Sequence, residues 1–286
     1  MAPSRPALLL LVLAFSLSGA LAAAPAMQGN FELRKLEVAL TLYPDGTAHA
    51  VETMRIFMNN TQSIQLYQDT MQSNDLSTWV SRTGINDLRT HVNSASVAVG
   101  NLEVRSQSPD NCNSLIGICF ATLVLEYDVR PLSNSSAGIM VMEDYKPRTT
   151  RYTFQSDALL LPRSSSGDIL LSPSATLRLI LPEGADDIRF SQMPNNLLDE
   201  TGRFRYDPSQ GYSGPERQFT WTDQTLSKFS VVFDREAPLQ SEILSYFSRL
   251  QKGVFETAFS FNGLAVLLVC AVLLISVLWV HQMHLK

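Results

Sequence analysis

Chemically versatile residues are scarce in this 286-residue chain: it has four histidines and three cysteines, and of the histidines only His49 and His91 lie outside the last six positions. A site built on histidine therefore has two candidates in the body of the protein. His281 and His284 are one helical turn apart, but at a terminus that would be frayed and wet. The chain contains no H-E-x-x-H, no G-x-S-x-G, no phosphate-binding loop and no cysteine pair at metal spacing. Positive charge is short as well. There are 22 Lys and Arg against 27 Asp and Glu, and with Arg5 and Lys286 at the two ends the stretch between carries 20 − 27, a formal −7. An acidic body argues against nucleic acid as a partner. The pairs Glu143-Asp144, Asp186-Asp187 and Asp199-Glu200 match no calcium-loop spacing and read as solvated turns. Gly211-Tyr-Ser-Gly214 has the look of a nucleophile elbow without its second glycine in place, and sits in a turn-rich stretch. No catalytic, cofactor-binding or metal-ligating residue is assigned, and the expectation is a protein that is not an enzyme.

What the chain does have is two long apolar runs. From Ala258 to Val280 the polar interruptions are Ser260, Asn262 and Ser276, with no charge. Eighteen helical residues from Gly263 to Val280 cover about 27 Å, and the whole run covers the ~30 Å of a bilayer core. The other run, Ala7 to Leu17, follows Arg5 and precedes the small residues Ala20-Leu-Ala22, the pattern of a cleaved secretory signal. The expected organisation is a signal peptide over 1–22, a β-rich domain with a helical insert over 23–145, a β-sandwich-like domain over 146–236, a stem helix over 237–257, a transmembrane helix over 258–280 and a cytoplasmic tail over 281–286. The implied location is the cell membrane, single-pass, with the ectodomain outside and the C-terminus cytoplasmic. Arg249 and Lys252 flank the span on its outer side, against the positive-inside bias. A large translocated domain overrides that bias.

Export places Cys112 and Cys119 in an oxidising compartment with six residues between them, where a disulfide would contribute about 2–3 kcal/mol by restricting the unfolded chain. Cys270, inside the apolar run, reads as a small apolar residue. The sequons Asn59-Asn-Thr and Asn134-Ser-Ser permit glycosylation at Asn59 and Asn134.

Period two dominates the body. Leu36, Val38, Leu40 and Leu42 alternate with polar or small residues, and Pro44-Asp-Gly46 turns the chain into a second strand, Ala48 to Met58. Its apolar residues fall on both faces, predicting cover on both sides. Leu76, Trp79 and Val80, then Ile85, Leu88 and Val92, fall at helical spacing around Gly84 and predict one or two short helices. Strands are expected at 97–106, 121–129, 151–154, 175–181, 187–190, 203–206, 218–221 and 229–233, with Pro and Gly turns between the later ones. The fold class expected is mainly β: an antiparallel β-sandwich-type ectodomain with a short helical insert, an amphipathic stem helix and one C-terminal transmembrane helix. In the stem, Leu239, Ile243, Phe247, Leu250 and Val254 form an apolar stripe. It could be a homodimer seam, a helix in the headgroup layer, or packing under the domain.

Four segments in order, Leu42-Tyr-Pro-Asp-Gly-Thr-Ala-His-Ala-Val-Glu52, Leu170-Leu-Ser-Pro-Ser-Ala-Thr-Leu-Arg-Leu-Ile-Leu-Pro-Glu-Gly184, Phe219-Thr-Trp221 and Phe229-Ser-Val-Val-Phe233, resemble a group of uncharacterised archaeal envelope proteins. The resemblance implies a signal peptide, a β-rich outer domain and a single C-terminal membrane anchor, and transfers no catalytic residue. The function expected is a surface-exposed, non-enzymatic β protein, anchored in the lipid bilayer, that binds or assembles envelope components. The alternatives are an accessory single-pass subunit of a multi-pass membrane complex and a carboxylate-dependent envelope hydrolase. No cofactor is expected; the partners expected are lipid and an unidentified envelope or membrane protein.

Overall fold

The structure is a computed structural model that describes residues 30–132, 138–197 and 211–237. The signal peptide, Asn134, the strand expected at 203–206, the stem stripe from Leu239 to Val254 and the transmembrane span lie outside these residues. Among the described residues, no helix is long and apolar enough to cross a membrane.

The protein is mainly β, in two sheets. The strands are β1 (Phe31–Leu42), β2 (Ala48–Met58), β3 (Val97–Ser106), β4 (Asp110–Asn113), β5 (Ile118–Pro131), β6 (Met140–Lys146), β7 (Thr149–Phe154), β8 (Ile169–Ile180), β9 (Ala185–Phe190), β10 (Gln218–Leu226) and β11 (Val231–Glu236), with helices α1 (Thr61–Thr70) and α2 (Leu76–Thr83) after β2. The larger sheet runs β10-β8-β1-β2-β5-β3, with β4 added to β5; the smaller runs β6-β7-β11-β9. All pairings are antiparallel except β1 with β8, which is parallel. That pair departs from the antiparallel expectation, and its physical reason is the long connection through the helices and the smaller sheet's strands, which brings β8 back in the direction of β1. It also carries the larger sheet across position 145, where a division of the chain was expected.

The β1–β2 hairpin forms where Pro44-Asp-Gly46 predicts it. Gly46 takes φ 84°, open to glycine at little cost, and Asp45 Oδ1 accepts from Thr47 N at 3.0 Å. Contrary to the two-sided expectation for β2, only one face is fully covered: its even positions from Ala48 to Met58 are buried and its odd ones half-buried. The half-buried face carries polar pairs instead, among them Arg178 with Glu37, and His49 between Glu126 and Asp128.

The inner face is covered by two different things. Over β2 and β5 lie the helices, where Tyr67 of α1 and Trp79 of α2 are fully buried and meet edge-on at 5.1 Å. Tyr67 Oη donates to Gln107 O at 2.9 Å, and Trp79 Nε1 to Ser73 O at 2.9 Å, so neither polar tip is left dry. Over β8 and β10 lies the smaller sheet: Phe190 of β9 packs on Phe219 and Trp221 of β10, and Phe154 of β7 on Phe229. One continuous apolar cluster joins both regions.

The helical insert is corrected in two ways. Asp75 caps α2 and Gly84 at φ 68° ends it, but Ile85, Leu88 and Val92, although buried, lie on a non-helical segment. Helix cannot continue there because the His91 amide bonds to a carboxylate of β2 rather than to a carbonyl four residues back. Helix α1 was not anticipated. Its sequence is mostly polar, and the clearest sequence mark of its start is Asn60, whose side chain accepts from Ser63 N at 2.7 Å.

Candidate functional site

Residues 84–92 run across the inner face of β2 and bring His91 onto Glu52. Glu52 sits mid-strand in a sequence position that faces the core, and is 0% exposed. Such a placement is costly unless every lone pair is used. Here three donors use them: His91 N to Oε1 at 2.6 Å, His91 Nδ1 to Oε2 at 2.7 Å, and Tyr127 Oη to Oε1. Burial, and then the Glu52 carboxylate beside it, pushes the Tyr127 phenol far above its ordinary pKa, so it stays a donor. The cluster joins β2, β5 and the 84–92 segment through the middle of the core. Since Nδ1 is engaged, Nε2 is the ring nitrogen left for other chemistry.

His91 also lines a groove of about 400 Å³, near the lower end of the size range of small-ligand sites. A defect in the larger sheet opens it. β1 pairs with β8 only from Leu36 opposite Ala175 onward. On its other side, β8 opposes β10 at Thr176 and Thr222, then next at Leu171 and Gln224. The intervening Ser172-Pro173-Ser174 stretch bulges out of both ladders. Pro173 has no amide hydrogen to contribute, which makes this a natural place for the ladder to fail. The gap lies between Leu33 and Lys35 of β1, where β1 has its own register shift, and Leu170 to Ser174 of β8. Arg89, Asp87 and Thr225 of β10 also line it. Among the described residues Lys35 makes no ion pair, and Arg89 meets Asp87 only at 3.9 Å.

A second feature is the β4–β5 hairpin. Cys112 and Cys119, expected to pair, are joined in a disulfide. The loop they close presents Leu115 and Ile116 at 94% and 63% exposure. Gly117, at φ 67°, rests against Thr61 at the start of α1, where a Cβ would lie 3.1 Å from the hydroxyl. Asn59 of the first sequon is exposed, two residues before that helix.

The other residues weighed in the sequence go elsewhere. His49 is on the opposite face of the larger sheet, its ring 3.2 Å from Glu126 and 3.1 Å from Asp128; its bond, then that from Asn101, holds the Asp128 carboxyl below the usual range. Glu143 and Asp144 are exposed on β6. Asp187 pairs with Arg189 at 2.7 Å, and Asp186 is lowered first by a bond from Ser213. Tyr212 of the Gly211–Gly214 turn bridges to Ile188 of β9 and packs against Phe219. Among the described residues no group of His, Cys, Asp and Glu is arranged to hold a metal ion. Sequence reasoning missed the Glu52–His91–Tyr127 cluster. Its one available signal was an acidic residue at an inward position of a strand; His91 is the buried histidine among the described residues. No family model matches the chain, and no curated protein matches it.

Proposed function

We propose that this chain is a membrane-anchored, surface-exposed and non-enzymatic protein whose two sheets form the layers of a β-sandwich-type ectodomain, and which binds or assembles another envelope component. The apolar run from Ala258 to Val280 supports the anchor. The Cys112–Cys119 bridge supports an oxidising compartment, and the shared core between the sheets supports the sandwich.

The observation that carries the binding half is the apolar tip, Leu115-Ile116, in a loop closed by the disulfide. An ordered apolar knob loses little conformational freedom on docking, the property that favours tight contacts. The tip lies at the Met58 end of the larger sheet, since Met58 pairs with Cys119. The described chain ends at Ala237, whose amide donates to Arg148 O in the β6–β7 turn. Tyr152 of β7 reaches Pro44 O, which places that turn toward the opposite end of the sheet. The separation is on the order of 30 Å along the strands. The tip thus lies at the end of the larger sheet remote from Ala237, the last described residue ahead of the apolar run.

The test is purification from gently solubilised membranes of the wild type and of Leu115→Ser/Ile116→Ser. A partner retained by the wild type and lost by the double variant supports the reading; equal retention overturns it. If exchange of residues 258–280 for an unrelated apolar helix removes the partner while the tip variant keeps it, the accessory-subunit reading takes its place. The hydrolase reading needs two carboxylates facing one cavity, whereas Asp87 is the acidic residue of the groove and Glu52 is fully engaged.

A further inference from the structure

We propose that the groove between β1 and β8 is a binding site for a small amphiphilic anion, an oxyanion head carried on a short apolar body. The site stands on the groove's own geometry and is independent of where the protein is anchored or what its hairpin tip meets.

The head is recognised by cations without strong partners of their own. Among the described residues of this acidic protein most basic side chains are committed, for example Arg178 to Glu37, Arg151 to Asp234 at 2.8 Å, Arg105 to Glu126 at 3.0 Å and Arg189 to Asp187 at 2.7 Å. Lys35 and Arg89 are the exceptions that share one cavity, and Asp87, at 3.9 Å from Arg89, offsets only part of their charge. An oxyanion between them gains charge-assisted bonds without first breaking a good ion pair. Ser172, Ser174 and Thr225 line the same cavity, and their hydroxyls can add neutral donors. Ser172 and Ser174 now hold each other at 2.9 Å.

His91 gives the site a fixed polar point at 3% exposure. Glu52 holds Nδ1, so the ring cannot turn away, and Nε2 can meet a ligand without a loss of rotamer freedom. The apolar body is matched by Leu33, Leu36, Leu170 and Pro162. Leu170 is 39% exposed, and its cover by a short chain would remove apolar surface from water. A purely ionic ligand leaves this wall unused, and a purely apolar one leaves Lys35 and Arg89 uncompensated.

The oxyanion could come from a free phosphate ester or from a lipid headgroup, and one experiment separates them. Full-length protein in detergent micelles is labelled with ¹³C at histidine Cε1, giving four signals for His49, His91, His281 and His284. The probes are hexyl phosphate, inorganic phosphate, hexanol and dihexanoyl phosphatidylglycerol. Hexyl phosphate is expected to move the His91 signal saturably, with a Kd on the order of 1 mM or tighter, and to leave His49, on the far face of the sheet, unmoved. Lys35→Met and Arg89→Met are each expected to weaken that response by about tenfold. Arg82→Met, outside the groove, should change nothing. Tighter response to the phosphatidylglycerol than to hexyl phosphate assigns the site to lipid headgroups, and the reverse order assigns it to soluble esters. Both variants alter exposed side chains, and an unchanged His49 signal certifies that the sheet is intact. A His91 signal that does not move with hexyl phosphate, that moves equally with hexanol, or that responds in Lys35→Met and Arg89→Met as strongly as in the wild type overturns the proposal.

Discussion

Replacing Glu52 by Leu should destabilise the protein more than any other single polar change in its core. The substitution keeps an inward side chain of comparable bulk on β2 but removes the acceptor shared by His91 N, His91 Nδ1 and Tyr127 Oη. Each buried donor left without a partner costs about 1–3 kcal/mol. The imidazole can relieve one of the three by moving its proton to Nε2. Two donors remain, the His91 amide and the Tyr127 hydroxyl, both in positions 3% exposed or less. Their desolvation, with the loss of charge-assisted bonding, gives an expected cost of about 3–5 kcal/mol, the range found when one partner is removed from a buried ionic network. Tyr127→Phe removes only one donor and leaves Oε1 its bond from His91 N, so its cost should be nearer 1–2 kcal/mol. Glu52→Gln, which keeps an acceptor, belongs between them. Urea unfolding of the full-length protein in detergent, followed by tryptophan fluorescence, reads all three, since Trp79 and Trp221 are both fully buried in the folded state. With a denaturant dependence of about 2–3 kcal/mol per molar, the Leu variant should lose between about 1 and 2.5 M in its midpoint. If Glu52→Leu proves no more costly than Tyr127→Phe, the three-donor account of the cluster is wrong.

Non-reducing peptide mapping should recover Cys112 joined to Cys119 with Cys270 free, and reduction should lower stability by about 2–3 kcal/mol. Trp221→Ala, at a side chain that meets Phe190 and Phe229 where the two sheets touch, should cost about 3–5 kcal/mol in the same urea assay. The hydroxyls and amides of Ser77 and Thr78 lower the Asp75 pKa to about 2. A carboxylate depressed in the folded state stabilises fully above its unfolded pKa near 4 and ceases to as pH falls through about 2, so the cap on α2 should persist at pH 4; Asp75→Asn should flatten the acid limb of the stability curve below that. For the stem, Ile243→Ser/Phe247→Ser should convert a dimer of the full-length protein to a monomer if the stripe is a seam, measured by sedimentation in detergent; a monomeric wild type discards the seam.

The strands with an unbroken alternation were legible. β2 spans the residues expected of it, as does β3, and the Pro44-Asp-Gly46 turn lies between β1 and β2. Where one face meets the core and the other meets water, period two is imposed by burial itself. β6 was not read because it is an exposed strand: after Met140 and Val141 every side chain to Lys146 faces solvent, so nothing selects an alternation. The parallel pairing of β1 with β8 was hidden for another reason. The local pattern of a strand states which face is buried but not which neighbour it has, and these partners are 139 positions apart at Leu36 and Ala175. Ile85, Leu88 and Val92 imitate a helix because a loop pressed on a sheet can bury every third or fourth residue just as a helix does.

The parts of the candidate site are the places where local rules are broken. An acidic residue on the inward face of a central strand contradicts the strand's own pattern, and a Ser-Pro-Ser segment contradicts continuation of β8. A sheet with an unbroken ladder, and with apolar residues in place of Glu52 and its donors together, would follow the local rules more closely. The two defects are not independent, because they converge on one histidine: Glu52 fixes the His91 ring from below and the β8 bulge opens the space in front of it. A bulge alone could be a corner of the sheet, and a buried carboxylate alone could be a brace. That a single cavity receives the oriented imidazole together with Lys35 and Arg89 is what neither account supplies. Restoring the ladder, by replacing Ser172-Pro173-Ser174 with β-branched residues, should therefore stabilise the sheet while closing the groove, and a gain in stability with loss of ligand response is the pairing that separates a site from a flaw.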